Sequence, residues 1–260
     1  MGFSPLRATF NAAAALAATG VLVPVFLVTA PFSKKMDRSL RKSWCAIMCR
    51  LAGLSVQVSG QPVAGKGAFL VGNHISYLDI PVIAYAADLV FVAKSDVASW
   101  PIFGFLAKIT RTLFVERDPA KAREQGPVLA NRIAEGDPVL VFAEGTSTDG
   151  LAVAPFKSSL FQVAKGAEAP PPVQPITIAY TRERDGTPLS PERRDHYAWY
   201  GDMTLAPHLW NVLGQKGAVV RITFHPVLQP GDFQNRKTLA AHCYQTISEE
   251  LTRLNAGHLG

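Results

Sequence analysis

The alternation of hydrophobic and polar positions divides the chain into two parts. From Ala8 to Phe32 no residue is charged. As a helix rising ~1.5 Å per residue, such a run is long enough to cross a hydrocarbon core of ~30 Å. Arg7 precedes it, and Lys34, Lys35, Arg38, Arg41 and Lys42 follow it, a basic flank of the kind that stays on the cytoplasmic side. A second apolar stretch, Trp44 to Val58, is interrupted by Arg50 and Gly53 and predicts an interfacial segment lying beside the first. Residues 1–58 are therefore expected to form a membrane-anchoring helical region, a hairpin in one leaflet. A cleaved secretory signal with a small-residue site near Ala30 is the alternative, although Pro31 would directly follow that cut.

Beyond residue 58 the pattern changes. Short apolar runs bounded by Gly, Pro or Asn predict strands at 68–72, 89–93, 112–116, 138–143, 174–180 and 218–224. Helical periodicity falls between them, near 80–87, 97–109, 119–135, 157–166 and 205–213. A last helix, about 236–254, gathers Leu239, Cys243, Ile247, Leu251 and Leu254 on one face. Strands alternating with helices predict one α/β domain over residues 59–260, a largely parallel twisted sheet flanked by helices on both faces.

Composition narrows the partners. Hydrophobic residues make up 48% of the chain and the formal net charge is +6, which favours phospholipid headgroups, nucleotide phosphates or an acidic carrier protein. The basic residues are not interleaved with aromatics or zinc-finger spacings, which argues against nucleic acid. Cys45, Cys49 and Cys243 cannot all pair internally, so no disulfide framework is implied. Residues 60–66 nearly spell a phosphate-binding loop, but Gly67 stands where a magnesium-binding hydroxyl is needed and a strand follows. There is no Gly-x-Ser-x-Gly nucleophile elbow.

The candidate chemistry begins at Asn73-His74-Ile75-Ser76-Tyr77-Leu78-Asp79, directly after the buried strand at 68–72. Ligands gather outside the carboxyl ends of strands in such sheets. A carboxylate five residues after a His, across a strand-to-helix turn, can engage one ring nitrogen and leave the other to take a proton from an alcohol. The competing account is local: Asp79 ahead of Ile80-Pro81 is a good helix cap, and Ser76 with Asp79 mimics a capping box. A second segment, Val139 to Ser147, is a buried strand ending in an acid, a glycine and hydroxyls. A third ends at Arg117, and a fourth, Val173 to Ile176, sets Pro175 at a strand start. His196, His208, His225 and His242 are scattered and read as structural or exposed. Trp199, Tyr200 and Trp210 read either as core or as packing for acyl chains.

Together and in this order, these segments resemble the lysophosphatidic acid acyltransferase family of glycerolipid acyltransferases, over about residues 65–180. The anchors are His74/Asp79, Phe114/Arg117, Phe142/Glu144/Gly145/Thr146 and Pro175, with Pro155-Phe156-Lys157 matching a further Phe-Lys element. The resemblance implies an enzyme in which His74 is the general base on a lysolipid hydroxyl and Asp79 orients it. Arg117, Glu144, Gly145, Thr146, Ser147 and Lys157 would bind the acceptor. It implies an acyl carrier protein or CoA thioester as co-substrate, no other cofactor, no metal, and a site on the cytoplasmic face of a bacterial inner membrane.

Two departures stand out. Ala143 replaces the usual proline, and Ser147 replaces an arginine expected to bind an acceptor phosphate, a ligand that serine cannot imitate. Residues 144–150, 155–161 and 199–210 look like the bacterial branch that acylates lyso-ornithine lipid. Phosphatidic acid formation and a non-catalytic lipid-binding role are the competing expectations.

Overall fold

Helix α1 (Pro5–Thr29) starts where the Ser4 side chain accepts from the Arg7 amide and Pro5 occupies the first turn. Ser33 caps α2 (Lys34–Leu51) in the same way. The two are joined by the short turn at 30–33, and the Trp44 indole donates to Thr19 Oγ1 at 3.0 Å across the hairpin. The computed structural model describes residues 3–63, 67–115, 119–166 and 169–258.

The remainder alternates strands and helices: β1 (Ser55–Ser59), β2 (Ala68–Gly72), α3 (Asp79–Ala86), β3 (Val90–Lys94), α4 (Phe103–Ile109), β4 (Leu113–Val115), α5 (Pro119–Ala134) and β5 (Pro138–Phe142). Then follow α6 (Gln162–Lys165), β6 (Val173–Glu183), α7 (Pro191–Arg194), α8 (Leu205–Gly214), β7 (Ala218–Phe224) and α9 (Arg236–Asn255). The strands form a seven-stranded sheet in the order β1-β7-β6-β2-β5-β3-β4. Every neighbouring pair is parallel except β6 with β7. The expected largely parallel sheet flanked by helices is the fold observed.

Strand β2 explains the unbroken apolar runs. Leu70 joins the core formed with α2, α3 and α8, whereas Phe69 and Val71 join the core formed with α5, α6 and α9. A strand covered on both faces has no position for a polar residue.

Three elements differ from the expected pattern. The stretch 44–58 is not one segment: α2 ends at Leu51, and Ser55–Ser59 is an edge strand parallel to β7. The polar-apolar alternation Ser55-Val56-Gln57-Val58 suits a half-buried strand better than an interfacial helix, and the boundary at residue 58 falls inside it. The helix expected over 97–109 is a short 3-10 turn at 95–99 followed by α4, separated at Pro101 and at Ile102, whose φ is 65°. The helix expected over 157–166 likewise splits into a 3-10 turn at 158–161 and α6.

Candidate active site

Strands β2 and β5 are neighbours in parallel register, with Gly72 opposite Phe142, so the segments that follow them emerge side by side at the carboxyl end of the sheet. Asn73 extends the ladder beyond β2 with its side chain. Its amide donates to the Ile178 carbonyl at 3.0 Å and its carbonyl accepts from the Ile178 N–H at 2.8 Å. This fixes the start of the His74 loop to β6.

His74 Nδ1 lies 2.8 Å from Asp79 Oδ2. Asp79 is fully buried, and the same oxygen accepts from the Ile75 and Ser76 amides at 2.7 and 3.0 Å. The other, Oδ1, accepts from the Tyr180 hydroxyl at 3.1 Å. Asp79 therefore reaches back to the loop instead of capping α3, whose N-cap residue Leu78 makes no side-chain cap. The imidazole is stacked on Phe142, with centroids 3.9 Å apart and planes 8° from parallel. With Nδ1 committed to Asp79 and the ring backed by Phe142, Nε2 is the nitrogen left for the groove that His74 lines.

The second segment braces the first. Glu144 Oε1 accepts from the His74 amide at 2.7 Å and Oε2 from the Ala154 amide at 2.6 Å. The Thr148 amide donates to the His74 carbonyl at 2.9 Å. Burial pushes the Glu144 carboxyl up to about 7 against the pull of these two amides. The expectation that Glu144 binds the acceptor is not how it sits: its side chain is turned inward, and both oxygens are used holding the two loops together. Gly145, Thr146, Ser147 and Lys157 do line the groove. Gly145 has φ 72°, and a Cβ there would lie 2.5 Å from Lys157 Nζ, so glycine is what lets the ammonium approach the turn. Arg117 lies outside the described residues.

The groove has a volume of about 1640 Å³ and runs from the α1/α2 hairpin past His74 to Lys157 and Arg236. Its walls near α2 and α3 combine apolar side chains, Cys45, Met48, Leu78 and Ile80 among them, with Arg38, Arg41 and Lys42. Trp199 and Tyr200 line it too, and the Trp199 amide donates to the Ile75 carbonyl at 2.9 Å. Tyr77, within the loop, has its hydroxyl 3.0 Å from His208 Nδ1. Burial holds the His208 imidazole below its ordinary value, so it meets Tyr77 as a neutral ring. Sequence spacing gave no sign of the Tyr180 or His208 contacts, which join residues 101 and 131 positions apart.

An acyltransferase family matches residues 55–179 of this chain. A lyso-ornithine lipid O-acyltransferase of Rhodobacter capsulatus is 42% identical over 209 residues, covering 78% of this chain and 72% of the relative. Another, of Rhizobium meliloti, is 37% identical over 238 residues, covering 89% and 81%. A crystal structure of a 1-acyl-sn-glycerophosphate acyltransferase of Thermotoga maritima has the same fold, with a TM-score of 0.70 at 19% identity over 97% of this chain and 95% of its own. With motifs, fold and relatives in agreement, the chain belongs to the glycerolipid acyltransferase family, beside the lyso-ornithine lipid O-acyltransferases, and is an enzyme that acylates lysolipids.

Proposed function

We propose that this enzyme moves a fatty acyl group from an acyl carrier protein or CoA thioester to the hydroxyl of lyso-ornithine lipid, forming ornithine lipid. The observation that carries the reading is the 2.8 Å contact between His74 Nδ1 and a fully buried Asp79, beside a large apolar groove. His74 Nε2 takes the proton as the lipid oxygen attacks the thioester carbonyl carbon. Asp79 stabilises the imidazolium that forms. The tetrahedral adduct collapses, the carbon–sulfur bond breaks, and the imidazolium returns the proton to the leaving thiolate. No acyl-enzyme, metal or further cofactor is needed.

The groove supports a reaction between lipids. Its volume of about 1640 Å³ exceeds the roughly 300–1,000 Å³ of ordinary small-molecule pockets. The acceptor assignment rests on Ser147, which leaves the turn at 144–147 without a guanidinium for a phosphate monoester, and on the named activity of the relatives. Gly145, Thr146, Ser147 and Lys157 hold the acceptor headgroup. Helix α1 is long and apolar enough to cross a membrane. With α2 it anchors the enzyme in the bacterial inner membrane, with the groove on the cytoplasmic face.

The test is an assay of purified membranes with lyso-ornithine lipid and with lysophosphatidic acid, each offered acyl carrier protein and CoA thioesters. Preferential acylation of lyso-ornithine lipid is expected, and it should fall about 10²–10⁴-fold in His74→Ala. Preference for lysophosphatidic acid would overturn the acceptor, leaving a phosphatidic-acid-forming enzyme. Undiminished activity in His74→Ala would overturn the mechanism.

A further inference from the structure

We propose that Tyr180 is a positioning residue of the acyl transfer, the end of a His74–Asp79–Tyr180 chain whose phenolic hydroxyl holds the buried carboxylate in the rotation that serves the imidazole. The proposal rests on His74 being the base. Asp79 Oδ2 takes three hydrogen bonds, from His74 Nδ1, Ile75 N and Ser76 N. Among the described residues, Oδ1 takes its bond from Tyr180. A buried carboxylate oxygen without a donor is costly. If the phenol were lost, the carboxylate would relax by turning Oδ1 towards the loop amides, and that motion carries Oδ2 away from the imidazole.

Tyr180 is itself held from several sides. Its ring stacks on Tyr197, with centroids 5.9 Å apart and planes 13° from parallel. The register of β6 against β7 shifts between Tyr180 and Arg182, and the Tyr180 carbonyl accepts from the buried Arg194 Nε at 3.2 Å. Bulges of this kind re-aim a side chain beside active sites. Strand β6 thus grips the catalytic loop at both ends, Ile178 on Asn73 at its start and Tyr180 on Asp79 at its close. Burial, and the Asp79 charge beside it, push the phenol well above its ordinary value, so it remains a donor at physiological pH.

Tyr180→Phe keeps the ring and its stack and removes only the oxygen. With the full-length enzyme, kcat should fall roughly 10- to 150-fold, the effect of one hydrogen bond to a charged group, with KM for lysolipid and thioester unchanged. Tyr197→Phe, a buried tyrosine whose hydroxyl sits by the Gly217 backbone, should leave kcat intact. In an Asp79→Asn background, Tyr180→Phe should cause no further loss, a comparison that decides the question even if Tyr180→Phe lowers the yield of folded enzyme. The role of Tyr180 is overturned by an unchanged kcat, by an equal loss in Tyr197→Phe, or by losses that multiply with Asp79→Asn. His74→Ala, assayed alongside, separates the two claims. Undiminished activity there overturns the base, whereas a silent Tyr180→Phe beside a His74→Ala impaired by about 10²–10⁴-fold overturns Tyr180 alone.

Discussion

The two ends of this enzyme are built on opposite rules. At the carboxyl ends of β2 and β5, polar atoms are buried and saturated: Asp79 accepts four hydrogen bonds, and both Glu144 oxygens accept from backbone amides. In α1 and the turn that follows it, apolar side chains face outward, with Leu6 and Phe32 84% and 88% exposed and Phe10, Val21 and Val28 largely so, whereas α2 exposes Lys34, Lys35, Arg38 and Lys42. A contiguous apolar surface of that kind marks a membrane or partner contact. At the catalytic end each oxygen of Asp79 and Glu144 is fixed by a donor from the elements it joins. The hairpin is tethered near its start, where the Ser4 amide and Arg7 donate to the Gly214 carbonyl and Asn11 to that of Leu213. Reactivity and location thus rest on different interactions, one on buried hydrogen bonds and the other on exposed apolar area.

Damaging one end and measuring both tests whether the two are independent. His74→Ala should lower acyl transfer by about 10²–10⁴-fold, while the protein floats with lipid vesicles as before; loss of flotation would show that the ends are coupled. Conversely, Val21→Arg places a charge on the exposed face of α1 at a cost of about 2.5–3.5 kcal/mol near a helix centre in lipid. It should shift the enzyme from the membrane to the soluble fraction. Val21 is not among the α1 residues that line the groove, so activity of the detergent-solubilised variant should stay within about twofold, as for a surface change, and a larger fall would show that the exposed face of α1 also shapes the groove.

Smaller effects test the braces. Gly145→Ala forces a side chain into a left-handed backbone at about 1–2 kcal/mol and crowds Lys157. The KM for the acceptor should rise more than kcat falls, and the reverse would remove Lys157 from acceptor binding. The smallest effect is one of pH. The Glu144 carboxyl stands near 7 when folded and near ~4.3 in an unfolded chain. Its contribution to stability is therefore full below the unfolded value and lost as pH rises through the folded one. Glu144→Gln removes this titration, so melting temperatures compared at pH 5 and pH 8 should differ less than in the parent enzyme. An unchanged difference would mean that another group titrates.

Much of this was legible along the chain. The run at 68–72 matches β2, because a strand covered on both faces leaves an unbroken apolar stretch bounded by turn residues, and the run at 218–224 matches β7, where buried apolar positions alternate with Arg221 and Thr223 on the less buried face. The pairing of His74 with Asp79 could be expected from the ordered set of motifs, since this segment by itself fits a helix cap as well, and the contact is present. The uncharged run after Arg7 predicted α1 from length alone. Tertiary structure decided the rest: that Ser55–Ser59 joins the sheet edge, that Glu144 turns inward, that Phe142 backs the imidazole, and that Tyr180 reaches Asp79 from 101 residues away. Local pattern encodes which face of an element is apolar. Which distant polar groups meet on the buried side depends on how strands order and register, and that is settled only when the whole sheet closes around its core.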